Sequence, residues 1–348
     1  MSINVGLPAT NLIDPTSVRQ SLFRARNGNE RGRDGMKYDA IDFPSNAPIS
    51  GNLDVQWIHG SRTPRHRMEP PIQVHAYDSH TFLLRQSKDV SFEAPFMYLL
   101  FGNDRALLLD TGATADRQRF PLRDTVDSLI SAWLAAHPRD EYELVVAHTH
   151  AHADHVAADG QFADRPRTKV VKKDLDTVQS FFDIPHWPVG IGRCDLGGRV
   201  LAVIGTPGHH ATSISVYDPS TGLLITGDTV YPGRLYVSDF PAFVASLNRL
   251  VSFTVDRPVT NVLGCHIEMT RTPRHDYPAT TKYQPEEPAL QMTVKQLVTV
   301  RDAAVSVANR PGAHTFDDFM IFNGPCAGAV VRQLIRAAWG NLRHLLTP

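Results

Sequence analysis

The stretch Val145 to His155, V-V-A-H-T-H-A-H-A-D-H, constrains this chain more than any other. His150, His152, Asp154 and His155 form an H-x-H-x-D-H array, a density of nitrogen and oxygen donors that core packing does not require. It reads as half of a metal site. Leu144 to Ala147 is an apolar run expected to be a buried strand. Extended backbone continuing past it would send His150 and His152 to one side, because strand side chains alternate. Asp154 and His155 are neighbours and cannot share a direction on a regular strand, so the chain is expected to turn there and present them to a second ion. Zinc, iron and manganese all accept imidazole nitrogen and carboxylate oxygen, and each wants roughly four to six donors. The rest of the ligands must come from elsewhere.

A recurrent pattern supplies them: apolar strands that end in Gly or Pro turns bearing His or Asp. Ala106 to Leu109 runs into Asp110-Thr111-Gly112, where Asp110 either orients a metal-bound imidazole or caps the turn. Val200 to Ile204 stops at Gly205-Thr206-Pro207-Gly208, followed by His209 and His210. Ser213 to Tyr217 and Leu223 to Ile225 bracket a Pro-Ser-Thr-Gly turn as a hairpin that ends in Thr226-Gly227-Asp228-Thr229, and Val259 to Leu263 ends in Gly264-Cys265-His266. These ends converge if the strands lie in packed sheets with helices outside. The donors then sort into two sets: His150, His152 and His209 for one ion, Asp154, His155 and His266 for the other, with Asp228 giving one oxygen to each. Two cations about 3.5 to 4 Å apart need such a bridging anion, and a water between them is deprotonated near neutral pH, which makes a hydroxide the natural nucleophile. Asp154 is also placed to orient it and pass a proton to the leaving group.

The combination of His150 to His155 preceded by Thr149, T-P-G-H at 206 to 209, T-G-D-T at 226 to 229 and G-C-H at 264 to 266 resembles the metallo-beta-lactamase-fold hydrolase superfamily over about residues 72 to 270. The resemblance implies an α/β fold, a four-layer αβ/βα sandwich, here with an N-terminal arm and a C-terminal helical extension. It implies two divalent metal ions, zinc usually, with iron or manganese in some branches. Asp228 points to the branch shared by hydroxyacylglutathione hydrolases and lactonases, hence to a small ester, thioester or lactone as substrate. Beta-lactam hydrolysis, phosphodiester hydrolysis and a non-catalytic metal-binding role are the alternatives. One departure stands out: Val156-Ala157-Ala158-Asp159-Gly160 replaces the Ala-Gly-Gly type of turn common in thioesterases and lactonases of this fold.

Past the bridging carboxylate, Val230-Tyr231-Pro232-Gly233-Arg234-Leu235-Tyr236 places two phenols and a guanidinium. Tyr231 or Tyr236 is a candidate donor to a substrate oxyanion and Arg234 a candidate grip on a substrate carboxylate, each with a structural alternative. His148 is read as a core or ligand-orienting histidine, His210 as a turn cap and Cys265 as a small buried residue.

The remaining expectations concern organisation. Residues 1–71 read as an arm with little regular structure, including the charged, glycine-rich Arg24 to Gly35 and one strand at Leu53 to Ile58; 72–270 is the catalytic domain, and 271–348 a loop and helical extension. Strands are expected at Ile72 to Tyr77, Thr81 to Arg85, Phe96 to Phe101 and Val170-Val171. Helices are expected at Asp124 to Ala136 with Asp124 as N-cap, Leu175 to Phe182, Pro241 to Val251, Pro288 to Asn309 and Val330 to Leu346. The helical extension is read either as a cover for the site or as a homodimer interface. With Lys plus Arg at 35 against 36 Asp plus Glu, no electrostatic case exists for nucleic acid or an anionic membrane. Three widely spaced cysteines, Cys194, Cys265 and Cys326, argue against a disulfide scaffold and fit a reducing, cytoplasmic setting. The chain shows no run long enough to span a membrane and no signal-peptide pattern.

Overall fold

The computed structural model describes residues 39–44, 47–63 and 69–324, together with 335, 336 and 338. Sheet one contains β1 (Ile72–Ala76), β2 (Thr81–Gln86), β3 (Phe96–Phe101), β4 (Arg105–Leu109), β5 (Glu143–Ala147) and β6 (Thr168–Val170) in that spatial order. The first four form antiparallel pairs through hairpin turns, and β4, β5 and β6 run parallel. A parallel pair needs a crossover, which α1 (Leu122–Ala136) supplies between β4 and β5. The array follows β5, turning through the short α2 (Ala153–Val156), and α3 (Leu175–Phe181) follows β6.

Sheet two runs in the order β13-β12-β10-β9-β8-β7 and is built from β7 (Ile191–Asp195), β8 (Val200–Gly205), β9 (Ile214–Asp218), β10 (Leu223–Gly227), β12 (Asn261–Gly264) and β13 (Gln291–Met292). Here α4 (Phe240–Thr254) is part of the crossover between the parallel strands β10 and β12. A third, three-stranded sheet joins β11 (Arg234–Val237), β15 (Met320–Asn323) and β14 (Gly312–Thr315).

Period-two alternation explains the layers. Leu83, Tyr98, Leu100, Leu107, Leu109 and Val145 face Leu201, Val203, Ile214, Val216, Leu223 and Ile225 between the sheets. The alternate residues Leu84, Met97, Leu99, Leu108 and Val146 face Val126, Leu129, Ile130 and Trp133 of α1. On the far side, Ile204, Tyr217, Leu224 and Val262 meet Phe243, Leu247 and Leu250 of α4 and Leu297, Val300 and Ala304 of α5 (Val294–Val307). Strands buried on both faces read as continuous apolar runs, as β3 and β4 do. The result is a four-layer αβ/βα sandwich with extensions at both ends.

Several expectations change. Leu53 to Gln56 does alternate in exposure, but Leu53 to Ile58 pairs with no strand among the described residues; Leu53 and Val55 pack on the inter-sheet core beside Trp57. Asp124 does not cap α1, which begins at Leu122 after Pro121; its carboxylate instead pairs with Arg117. The helix expected from Pro288 begins only at Val294, because Gln291–Met292 is drawn into sheet two and Thr293 forms a capping box with Gln296. Within that helix Val300, Ala304 and Val307 form the buried stripe, while Val305 is 51% exposed. The third sheet leaves little trace in the sequence, because its strands are four residues each and β11 lies far before the β14–β15 hairpin that it joins. Arg24 to Gly35 lies outside the described residues, as does Val330 to Leu346 apart from 335, 336 and 338.

At the end of the sandwich away from the array, Arg199 and Asp218 form a buried ion pair between the sheets. Arg199 Nη2 donates to Asp218 Oδ2 at 2.6 Å and to the Thr81 hydroxyl at 2.7 Å, while Nη1 donates to the carbonyls of His80 and Phe101. Burial alone would raise the Asp218 pKa, but Arg199 together with Thr221 and Ser220 outweighs it and holds the carboxyl below its ordinary value. The stabilisation is therefore present above the ordinary carboxylate pKa and is lost as pH falls through the depressed one. Replacing Asp218 by Ala leaves the guanidinium buried and uncompensated, and is expected to cost about 3–5 kcal/mol. Urea unfolding of the metal-free protein measures this; an unchanged midpoint would contradict it.

Candidate metal centre

The ends of both sheets meet at the array. His150 Nε2 lies 3.0 Å from His152 Nδ1, and His209 Nε2 lies 2.8 Å from the same atom. Asp154, His155, Asp228 and His266 make the second group, with His155 Nε2 and His266 Nε2 3.3 Å apart. Asp228 stands between them. Its Oδ1 is 3.5 Å from both His155 Nε2 and His266 Nε2, while Oδ2 is 3.7 Å from His209 Nε2 and 4.0 Å from His150 Nε2. The sequence thus names the residues that converge here.

Hydrogen bonds behind the imidazoles fix their tautomers. His155 Nδ1 is 3.0 Å from Asp110 Oδ2, His266 Nδ1 is 3.1 Å from the Glu93 carbonyl and His209 Nδ1 is 2.7 Å from the Tyr236 carbonyl. Those oxygens only accept, so each Nδ1 carries its proton and each Nε2 turns a lone pair inward. Thr149 Oγ1 donates to Asp110 and lies 3.2 Å from His150 Nδ1, which places the fourth lone pair likewise. Lone pairs at such separations repel unless a proton or cation sits among them. Asp228 Oδ1 is buried and accepts no hydrogen bond among the described residues. An acceptor in that condition is costly, and a cation resolves it. The donor set therefore fits a pair of metal ions.

Charges tell the same story. Burial opposes protonation of His266, but Asp228 and Asp154 outweigh it and lift the group to about 9. In the same way, burial works against His155, yet Asp228 and Asp110 raise it well above the ordinary value. Burial, aided by neighbouring imidazoles, pushes His152 down to about 4 and His150 well below its usual range. Against burial, the imidazoles hold Asp154 and Asp228 far below the ordinary carboxylate range. The buried carboxylates thus draw positive charge into the pocket, as protons on His155 and His266 beside the neutral His150 and His152, and a bound cation would take those protons' place.

Asp110 organises the centre from behind. It is fully buried and accepts from the Thr149 amide at 2.7 Å, the Thr149 hydroxyl at 2.8 Å and the Cys265 thiol at 3.4 Å, besides His155. Its φ of 71° is a left-handed conformation that Asp tolerates better than most residues. Its carboxylate thus orients His155 and ties down the loop after β5, and it accepts from no amide of its own turn among the described residues. Gly227, at φ 53°, brings Asp228 in close, since a Cβ there would lie 2.7 Å from Thr149 Cβ. Cys265 is buried, and burial pushes its thiol up.

Of the residues read as substrate contacts, Arg234 and Tyr236 lie on β11 and Tyr231 in the turn before it. Tyr236 is 38% exposed, stacks near Phe322 and accepts from Arg234 Nε at 3.2 Å. Tyr231 is buried, donates to the Arg234 carbonyl and lies 5.7 Å from the His266 ring. Arg234 is buried between Glu268 and Asp276 and also donates to the Tyr277 carbonyl, so its donors are committed inside the protein. His148 faces Asp159, and His210 caps its own turn through Thr212. Sequence reasoning missed Asp159, Glu268 and the two carbonyls at Glu93 and Tyr236; only the unusual turn around Asp159 carried any signal.

A family model described as the Metallo-beta-lactamase superfamily matches residues 91–261. The chain has the metallo-beta-lactamase superfamily fold. It is 30% identical over 130 residues to hydroxyacylglutathione hydrolase from Chelativorans sp. (strain BNC1), covering 36% of this chain and 48% of the relative. Hydroxyacylglutathione hydrolase from Rhizobium meliloti (strain 1021) is 28% identical over 156 residues, 43% of this chain and 56% of the relative. The chain thus spans about half the length of the curated relatives it matches. Among solved structures, a metallo-beta-lactamase from Erythrobacter litoralis superposes with a TM-score of 0.46 at 13% identity, covering 68% of this chain and 98% of that one.

Asp110→Asn keeps the side chain's shape and tolerates its backbone angle, but halves its accepting capacity toward Thr149 and His155. Metal affinity is expected to fall roughly 10- to 100-fold, measured by competition with a chelator; unchanged affinity would show that Asp110 is not what orients His155.

Proposed function

We propose that the chain is a dinuclear metal-dependent hydrolase that cleaves a small ester, thioester or lactone. The convergence of two donor groups on Asp228 carries this reading. The proposed ligands are His150, His152 and His209 for one ion and Asp154, His155 and His266 for the other, with Asp228 shared. Zinc suits a donor set this rich in imidazole. When bound, the two ions supply a water acidified to near neutrality and a Lewis acid for the carbonyl oxygen.

The side chains divide the remaining work. Asp154 is the more open of the two carboxylates, at 23% side-chain exposure against 8% for Asp228. It is therefore the group placed to take a proton at the mouth and return it to the leaving group. Tyr236, whose carbonyl holds His209, is assigned to offer its phenolic proton to a developing oxyanion while Arg234 Nε donates to its oxygen. We assign Arg234 to that bracing role rather than to a substrate carboxylate, because Glu268 and Asp276 already neutralise it. Tyr231 supports the same segment through the Arg234 carbonyl. The name hydroxyacylglutathione hydrolase borne by the similar proteins supports acyl hydrolysis as the reaction class. No helix among the described residues is long and apolar enough to cross a membrane. Buried, unpaired Cys194 and Cys265 suit the reducing, cytoplasmic setting we propose.

Metal analysis after gentle purification is expected to give about two ions per chain, and Asp228→Ala about one, with most activity lost and the fold kept. A panel of lactones, thioesters, beta-lactams and bis-p-nitrophenyl phosphate, assayed with zinc, manganese and iron, tests the substrate class. Turnover of the phosphate alone would overturn the carbonyl preference.

A further inference from the structure

Asp159 opens the short turn of helix Asp159–Phe162, four residues beyond His155. It belongs to neither donor group of the metal centre. Its carboxylate is nevertheless a three-way junction. Oδ1 accepts the Thr111 hydroxyl at 2.8 Å and lies 2.7 Å from His148 Nε2, while Oδ2 accepts from Lys173 Nζ at 2.8 Å. Thr111, His148 and Lys173 lie just beyond the carboxyl ends of β4, β5 and β6, three neighbouring parallel strands.

Two of these partners stand next to ligands. His148 precedes His150 by two residues. Thr111 reaches the His155 carbonyl through its amide at 2.7 Å and its hydroxyl at 3.3 Å. Further along α2, the Ala157 amide donates to the Gly112 carbonyl at 3.0 Å. The three arms differ in environment. The His148 side chain is 4% exposed, whereas Lys173 is 39% exposed. An exposed ion pair contributes little, while a hydrogen bond to a charged group in a buried setting is strong and directional. The His148 arm is therefore the one that matters.

We propose that Asp159 is a positioning residue for the metal centre, locking the β4, β5 and β6 loops in register through His148 and Thr111 so that His150 and His155 are held at their ligand positions. The inference rests on the metal reading and adds to it a residue that touches no ion.

Zinc binding to the metal-free protein, followed by calorimetry and by chelator competition, tests the idea alongside urea unfolding of the same metal-free samples. Asp159→Ala is expected to weaken zinc binding by roughly 10- to 100-fold with its urea midpoint retained. His148→Ala should behave likewise, His148→Gln should recover most of the loss because its amide N–H replaces Nε2–H, and Lys173→Met should bind zinc as the parent does. If Asp159→Ala does not fold, Asp159→Leu, which keeps the side chain's bulk and removes the acceptor for both Thr111 and His148, takes its place in the comparison. Parent-like zinc affinity in the Asp159 variant, or a loss matched by an equal fall in metal-free stability, overturns the proposal. A parent protein that binds no zinc overturns the metal reading as well, so the two failures are distinguishable.

Discussion

Five imidazoles whose free nitrogens turn toward one another cannot share a pocket without positive charge among them, and the rest of the structure works to keep them there. His150, His152, His155, His209 and His266 come from both sheets, and at least three are held from behind by an oxygen that can only accept. Asp110, the Glu93 carbonyl and the Tyr236 carbonyl leave their imidazoles no alternative orientation. The third sheet has its place in this arrangement. By pairing β11 with β15 it fixes the Tyr236 carbonyl that His209 needs. At the other end, Arg199 and Asp218 tie the sheets together with a buried pair whose cost is met by a full set of hydrogen bonds.

Much of this was legible in the sequence because metal ligands obey two periodicities at once. Apolar runs such as Leu107 to Leu109 and Val145 to Ala147 announce buried strands, and the polar residue that ends each run has a direction fixed by the strand before it. That is why His150, His209, Asp228 and His266 could be grouped without coordinates. Short-range signals failed where tertiary pairing decided. Leu53 to Gln56 alternates like a strand but pairs with none among the described residues, and Gln291 and Met292 read as helix until β12 captures them. The carbonyls of Glu93 and Tyr236 were invisible for a plainer reason, since a backbone acceptor is the same in every residue.

Arg234 illustrates a different limit. A guanidinium next to a bridging carboxylate reads as a substrate anchor, yet Glu268 and Asp276, at least 34 positions away in sequence, have already claimed it. Composition cannot reveal such a claim, because the partners lie in a loop with no periodic pattern. Asp159 is the converse case: an unremarkable acid in a turn becomes a junction only when the ends of three strands are seen side by side.

The division of ligands between the sheets has a consequence for assembly. Sheet one alone carries His150, His152, Asp154 and His155, while His209, Asp228 and His266 arrive only with sheet two. On the proposed ligand sets, a chain with one sheet formed would hold incomplete shells for both ions and bind them loosely. Tight capture awaits the docking of the two halves, and metal uptake then acts as a latch that closes after the long-range contacts have formed. Removing the metal would free the latch without dismantling either sheet, so the seam between them is where the protein should begin to open.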